Sequence, residues 1–394
     1  MKKTVKDVDL KNKKVLLRVD FNVPLDENGE VVDETKIVEA LATIRYILSQ
    51  NAKLIVCSHL GRPNGVDPKF SLVSVAKKLV DLLGCPVMFA SDVVGKDAMK
   101  KAAALKFGQV LLLENVRFEE GEEKNDLDLA KKLASMADFF VNDAFGTSHR
   151  KHASTYGVAS FLPNALGFLM GKETNVILKT MKSPERPFTL VVGGSKVNDK
   201  IEIIKNLIRK VDFVLIGGGM AFTFLKAMGI SVGKSIVQDD KILLAKEILK
   251  NAKELGTKIV LPIDCVCAAE IDEDVKVKRF DVENIPDNLM GLDIGRKTSK
   301  LFTKIVKASK TAIWNGPMGV FEIKKFALGT KKIAKAFAKV RGTTIVGGGE
   351  SAAAIRQFGL QDKITHISTG GGASLVLFQG GSLPCVEIIS DLED

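Results

Sequence analysis

The sequence predicts an α/β protein: two doubly wound, parallel-sheet (Rossmann-like) domains joined by an interdomain helix. Three observations predict it. Short β-branched runs alternate with longer amphipathic stretches along the 394 residues, which implies right-handed βαβ units and therefore parallel sheets. Apolar residues make up 46% but aromatics only 6%; the apolar mass is Val, Ile, Leu and Ala, the mix found in strands buried on both faces. The length favours two domains over one.

In the first half the strand runs are 14–20 (KVLLRVD), 53–58 (KLIVCS), 109–114 (QVLLLE) and 138–142 (DFFVN). Between them Ile37, Leu41, Ile44 and Leu48 share one helical face, and Leu72, Val75, Ala76, Leu79 and Leu83 share another. In the second half the runs are 188–192, 212–216, 258–264 (KIVLPID), 311–315, 343–346 and 364–368. Ile201, Ile204, Leu207 and Ile208 mark a helix after the first of these. The segment 171–187 (GKETNVILKTMKSPERP) begins as a helix pattern and ends with two prolines. It suits a helix between domains, with one domain over 1–172 and a second from 173. Glycine is about twice as abundant after that boundary as before it, so the halves are expected to do different jobs.

The formal net charge of +11 favours anionic partners. Much of the surplus, such as Lys331, Lys332 and Lys335, falls on solvated helix faces. The sequence lacks aromatic stacking platforms and nucleic-acid reader motifs, so no nucleic-acid partner is expected. The five cysteines show neither a Cys-x-x-Cys pair nor zinc spacing. No apolar run approaches the roughly 20 residues of a membrane span, and the N-terminus lacks an apolar signal core. A cytoplasmic protein with no membrane partner is expected.

Four strands of the second half end in glycine clusters that open helices: VVGGSK with Gly193 and Gly194, LIGGGMA with Gly217, Gly218 and Gly219, IVGGGES with Gly348 and Gly349, and ISTGGGAS with Gly370, Gly371 and Gly372. Glycine lets backbone approach a ligand, and free N–H groups at a helix start attract phosphate. Neither a P-loop nor a dinucleotide fingerprint is present. Lys196 and Lys200, spaced i, i+4, are read as two ammonium groups on one face of a helix's first turn. WNGPMGVFE places Asn315, Pro317 and Glu322 at another strand's C-terminal end, where such sheets bind ligands.

In the first half the same strand ends carry polar groups instead. RVDFNVP delivers Asp20 and Asn22, CSHLGRP His59 and Arg62, ENVRF Arg117, and NDAFGTSHRKHAS Asp143, His149, Arg150 and His152. Four neighbouring strands would thus converge cations able to bind carboxylate and phosphate. An anion pocket on one domain and a nucleotide-type pocket on the other suit phosphoryl transfer, which needs positioning and charge neutralisation more than covalent help. A carboxylate acceptor needs no general base, being ionised at neutral pH.

These motifs, with GGSKVNDKI, GGGMAFTF and MGLDIG, resemble the phosphoglycerate kinase family in order and over nearly the whole chain. The resemblance implies two similar α/β domains, with 378–394 returning to the first and 173–377 forming the second. It implies reversible transfer from 1,3-bisphosphoglycerate to ADP, giving 3-phosphoglycerate and ATP, with Mg²⁺ and domain closure, in a monomer. It assigns 3-phosphoglycerate to Asp20, Phe21, Asn22, Lys36, His59, Leu60, Gly61, Arg62, Arg117 and Arg150. It assigns ADP or ATP to Gly193, Gly194, Lys196, Lys200, Gly217, Gly218, Gly219, Gly291, Asn315, Pro317, Glu322, Gly348, Gly349, Glu350 and Ser351. Catalysis falls to Lys36, Lys200, Gly371 and Gly372, and Mg²⁺ to Glu350, directly or through water. Two departures stand out. Lys36 replaces the family's arginine and loses its planar fork. Glu350 replaces an aspartate and changes the reach toward Mg²⁺. Arg296 stands for a proline and Val376 for a glutamate. A catalytically weakened, ligand-binding relative is the alternative these departures suggest.

Overall fold

The structure, a computed structural model, describes residues 1–392, with the side chain of Asp199 outside that description. It divides into two compact units, Met1–Asn175 together with the segment from Ser382, and Val176–Gly381. Residues 393 and 394 of the returning C-terminal segment lie outside the described residues.

The first unit holds a six-stranded parallel sheet in the order β3-β4-β2-β1-β5-β6. Its strands are β1 (Lys14–Arg18), β2 (Lys53–Cys57), β3 (Val87–Phe89), β4 (Val110–Leu112), β5 (Phe139–Asn142) and β6 (Asn164–Leu166). Strand side chains alternate between faces, and here both faces are buried. Val15, Leu17, Leu54, Val56 and Val141 enter one core with α1 (Thr35–Ser49) and α2 (Val73–Leu83). Leu16, Ile55, Leu111 and Phe140 enter the other with α3 (Lys96–Ala104) and α4 (Leu127–Ala134). The predicted helical faces are the buried ones: Ile37, Leu41 and Ile44 on α1, Val75, Ala76 and Leu79 on α2. The C-terminal segment joins this unit through Lys3 N–H to Ser390 O (2.9 Å) and Cys385 N–H to Ser148 O (3.2 Å). Helix α5 (Phe168–Lys182) runs across the boundary between the units.

The second unit repeats the scheme with a six-stranded sheet in the order β15-β14-β13-β7-β8-β9. Its strands are β7 (Phe188–Val192), β8 (Phe213–Ile216), β9 (Lys258–Val260), β13 (Thr311–Asn315), β14 (Thr343–Gly347) and β15 (His366–Ile367), and all its pairings are parallel. Helices α6 (Asn198–Leu207), α7 (Met220–Ala227), α11 (Gly349–Gln357) and α12 (Gly372–Phe378) open after the four glycine clusters, as the sequence predicts.

The run 258–264, read as one strand, is two. β9 stops at Val260, and Pro262 cannot donate to a ladder. The chain then enters β10 (Asp264–Ala268), the middle of a separate antiparallel sheet with β11 (Lys278–Asp281) and β12 (Met290–Ile294). The Asp264 carboxylate is used elsewhere: it accepts from the N–H groups of Lys297 (3.0 Å) and Thr298 (2.7 Å) at the start of α9 (Arg296–Ala308). The predicted runs 109–114 and 364–368 are each three residues shorter in the structure, as β4 and β15, the run 14–20 stops two residues early at Arg18, and 53–58, 138–142 and 212–216 each lose one residue. Strands β3 and β6, three residues each, and the charged edge strand β11 fall below what period-two patterning can register.

Candidate active site

In the first sheet, connections leave β1 toward β2 and β5 toward β6, so the sheet's topological switch point lies between β1 and β5. Ligand crevices of open α/β sheets form outside the carboxyl ends at such a point. There β1 ends in Arg18, a fully buried cation. A buried charge persists only when it is paired and hydrogen-bonded. Arg18 donates from Nε to Ser154 Oγ (2.9 Å), from Nη2 to His59 Nδ1 (3.2 Å) and from Nη1 to the carbonyl of Val19. Ser154 passes the chain on, giving its hydroxyl to Glu122 Oε1 (2.6 Å) and its N–H to Oε2 (2.9 Å). Burial pushes the Glu122 carboxyl up, against the pull of Arg18 and of the bonds from Ser154.

The histidines are not cations here. Burial, then Arg18, hold His59 well below the ordinary imidazole value. It is neutral, its Nδ1 accepts from Arg18, and its proton therefore sits on Nε2. His152 is pushed down to about 4 by burial, Arg18 and Arg117. The positive charge of this site belongs to the arginines and Lys36.

Lys36, in the first turn of α1, places Nζ 3.0 Å from Asp20 Oδ2. Burial alone would raise the Asp20 carboxyl; the charge and hydrogen bond of Lys36, together with the neighbouring groups including Arg18, hold it below its ordinary value. Asn22 Oδ1 accepts from the N–H of Gly61 (2.8 Å), and the Gly61 carbonyl accepts from Arg117 Nη1 (2.5 Å). Arg117 Nη2 pairs with Glu123 (2.8 Å), while its buried Nε has no partner among the described residues. Arg150 is exposed, donates to His149 Nε2 (3.2 Å), and contributes to the field at Arg117 and His152. Arg62 follows Gly61 and is exposed.

Three expected residues act on the loops rather than through side chains facing open space. Phe21 is fully buried and uses its N–H on Ser58 Oγ (2.8 Å). Leu60 is buried, with N–H and carbonyl both bonded to the Asn115 side chain (3.2 and 2.8 Å). Asp143, named as a polar strand-end group, is turned inward: it accepts from Met170 N–H (2.9 Å) and fills the space beside Gly167. Burial pushes its carboxyl up to about 6. Arg18, Glu122 and Ser154 were missed; the available signal was a lone arginine inside the apolar run KVLLRVD.

In the second sheet, connections diverge from β7 and β13, which pair from Thr311↔Phe188 to Asn315↔Val192. At this second switch point lies a cavity of about 220 Å³. Gly194, Gly218, Gly219, Gly291, Pro317, Glu322 and Glu350 line it, together with Ile236, Ile271, Leu292 and Val320. No motif announced this apolar lining, because its residues come from four separate loops and strands.

The glycines divide into two roles. A Cβ on Gly218, whose φ is +64°, would lie 2.6 Å from Gly194 N and 2.8 Å from Pro317 O; one on Gly193 would lie 2.1 Å from Pro317 O. Likewise Gly217 is filled by Met318 and Gly291 by the Phe222 ring. These positions let three strand-end turns stack. By contrast, Gly349 and Gly371 have open space where a side chain would be, and Gly194 nearly so. Gly348 lies against the Asn315 amide, and Gly372 is exposed at the start of α12, which packs on α6.

Lys200, in the first turn of α6, donates to Asn315 Oδ1, while buried Asn315 Nδ2 has no partner among the described residues. Ser351 Oγ accepts from the N–H of Gly316 (2.6 Å) and fixes that turn. Lys196 is exposed but precedes α6, which starts at Asn198. The expected helical pairing of Lys196 with Lys200 is therefore not made: the glycine turn extends further than its spacing suggested.

Glu350 sits in the first turn of α11 and lines the cavity. No group of three or more His, Cys, Asp or Glu fit to hold a metal occurs among the described residues. One carboxylate beside an open glycine cradle fits a Mg²⁺ that arrives with phosphates, since this ion keeps waters and shares phosphate oxygens. No helix among the described residues is long and apolar enough to cross a membrane.

Two α/β sheets, one ending in an arginine-rich anion site and the other in a glycine cradle with a lysine, define a nucleotide-dependent phosphotransferase. The model of the family described as phosphoglycerate kinase matches residues 5–381. The chain is 53% identical to phosphoglycerate kinase of Thermosipho africanus, over 99% of this chain and 98% of that one. It is 54% identical to that of Dictyoglomus turgidum over 99% of both. The solved phosphoglycerate kinase of Coxiella burnetii superposes with a TM-score of 0.89 at 38% identity, over 98% of each chain. That of Pyrococcus horikoshii gives 0.85 at 33%, again over 98% of each. The chain belongs to the phosphoglycerate kinase family. It is an enzyme of glycolysis that transfers a phosphoryl group reversibly between 1,3-bisphosphoglycerate and ADP. A weakened, merely ligand-binding relative is not favoured.

Proposed function

We propose that the first unit holds the phosphoglycerate and the second the nucleotide. The observation that carries this reading is a pair of buried donors without partners among the described residues, Arg117 Nε and Asn315 Nδ2. Each stands at the strand-end site of its own unit, and a buried donor left unpaired costs free energy that an anionic acceptor would recover. On the first unit, Arg62, Arg117 and Arg150 bind the phosphate and carboxylate of 3-phosphoglycerate. Arg18 and neutral His59 keep the pocket's shape, and Lys36 faces the reacting carboxyl oxygen.

On the second unit, the apolar wall takes the base, Glu322 the ribose hydroxyls, and the N–H groups around Gly194 and Gly349 the phosphates. Lys200 neutralises the migrating phosphoryl group, with the glycine turn at Gly371 and Gly372 beside it. Mg²⁺ would be held by Glu350, directly or through water, together with the nucleotide phosphates; it supplies charge neutralisation there. Because the ligands are assigned to separate units, transfer requires closure, which we ascribe to bending along α5. We further propose a cytoplasmic monomer; one relative, from Triticum aestivum, is itself named cytosolic.

The test is ADP formation from ATP and 3-phosphoglycerate, with and without Mg²⁺. Arg117→Lys should raise KM for 3-phosphoglycerate and leave KM for ATP unchanged. An equal rise in both would count against the division of ligands.

A further inference from the structure

We infer that Cys265 and Cys267 form an oxidisable dithiol, a modification site whose oxidant is a small peroxide and whose access runs through the nucleotide cavity. The two residues lie on β10, two positions apart, so both side chains leave the same face. Their Sγ atoms are 3.3 Å apart, and both residues are buried in one cluster with Phe222 and Leu225. A regular strand would set their Cα atoms roughly 6.6–6.8 Å apart, the outer limit for a disulfide, about 4.4–6.8 Å. The pairing of β10 with β11 is regular, and at the register shift opposite Val266 and Cys267 the extra residue is Leu292 of β12. A disulfide here therefore closes the 3.3 Å Sγ separation with the Cα atoms at that outer limit.

The chemistry balances with hydrogen peroxide. One thiolate attacks a peroxide oxygen, breaks the O–O bond, and becomes a sulfenic acid with release of water. The second sulfur then attacks the sulfenic sulfur, the S–O bond breaks, and a second water leaves. Two thiols are oxidised by two electrons to one disulfide, and the peroxide is reduced to two waters.

Access follows from the cavities. Cys265 lines a small void of about 10 Å³, close to what one water-sized molecule needs. Gly218 and Leu292 line both this void and the large cavity. The wall is shared on the other side as well, since Cys267 pairs with Gly291, another residue of the large cavity. Bound nucleotide therefore shields the dithiol. This access route, but not the dithiol itself, rests on the nucleotide reading of that cavity.

The experiment treats the reduced full chain with hydrogen peroxide, with and without ADP, then blocks free thiols in denaturant and maps peptides by mass. The peptide carrying both cysteines should be lighter by two hydrogens and unblocked until it is reduced. Cys265→Ser and Cys267→Ser should each abolish that species. With ADP at roughly 100 times its Kd, linkage should slow about a hundredfold, because only the ADP-free form reacts. Linkage absent while half-buried Cys85 is oxidised would overturn the dithiol. Linkage at equal rates with and without ADP would overturn the access route. A calorimetric titration of the reduced chain with ADP separates the two ideas: no binding there removes the nucleotide reading and the route, while the mass of the linked peptide still judges the dithiol.

Discussion

Lys36 Nζ stands 3.0 Å from Asp20 Oδ2, so the cation at the start of α1 is already fixed by a carboxylate at the end of β1. Lysine satisfies that partner with a single point of contact. An arginine would satisfy it and keep a second N–H edge free for substrate. Lys36→Arg should raise kcat about three- to tenfold, the value of part of one charge-assisted hydrogen bond. Lys36→Met should lower kcat by about 10²–10³. Steady-state turnover at saturating substrates checks both, and an unchanged kcat for the arginine variant would show that lysine suffices here.

The two kinds of glycine predict two kinds of defect. Gly218→Ala places a Cβ 2.6 Å from backbone at a φ of +64°. It should destabilise the fold by roughly 2–4 kcal/mol, read as a lower denaturation midpoint without ligand. Gly349→Ala meets open space. It should fold with nearly unchanged stability yet bind ADP at least about tenfold more weakly, because its methyl group would enter the phosphate cradle.

Acid should weaken the first unit through its histidines. His152 titrates at about 4 when folded, against an ordinary value of 6.5. A folded value below the unfolded one means that the unfolded chain binds more protons between them. The stability involved is therefore present above about pH 6.5 and lost as pH falls toward 4. The loss is roughly 2 kcal/mol from His152 once solvent screening is allowed for, and His59 adds to it in the same direction. His152→Gln should flatten the dependence of the denaturation midpoint on pH between 7 and 4.5; an unchanged slope would place the sensitivity elsewhere.

Glu350 predicts a metal-specific effect. Glu350→Ala should raise the Mg²⁺ concentration needed for half-maximal rate while leaving KM for 3-phosphoglycerate in place. Glu350→Asp, which shortens the reach by one methylene, should move the Mg²⁺ requirement without abolishing turnover. Metal titrations of rate at fixed ATP check both.

The architecture is legible because buried parallel strands and amphipathic helices write themselves as runs and periods: KVLLR, KLIVC and FTLVV are strands, and Ile201, Ile204 and Leu207 are buried. The strand-end motifs were legible as well, since polar or glycine-rich residues after an apolar run have few structural reasons to be there. What stayed hidden was assembled in three dimensions. Glu122, Ser154 and Arg18 are far apart in sequence and meet only because the fold buries an arginine that then needs partners. The apolar wall of Ile236, Ile271, Leu292 and Val320 has no local signature. Pro262 is visible in the sequence, but the apolar residues on both sides of it mask the break between β9 and β10. The charge state of His59 depends on burial, which no spacing reports.

Hydrogen–deuterium exchange with one ligand at a time tests the division of labour between the units most directly. ADP with Mg²⁺ should slow exchange around Gly193–Lys200, Gly217–Met220 and Gly347–Ser351, and 3-phosphoglycerate should slow it around Asp20–Asn22, His59–Arg62 and Arg117. Protection of the first unit by ADP alone, or of the glycine turns by 3-phosphoglycerate alone, would contradict the account.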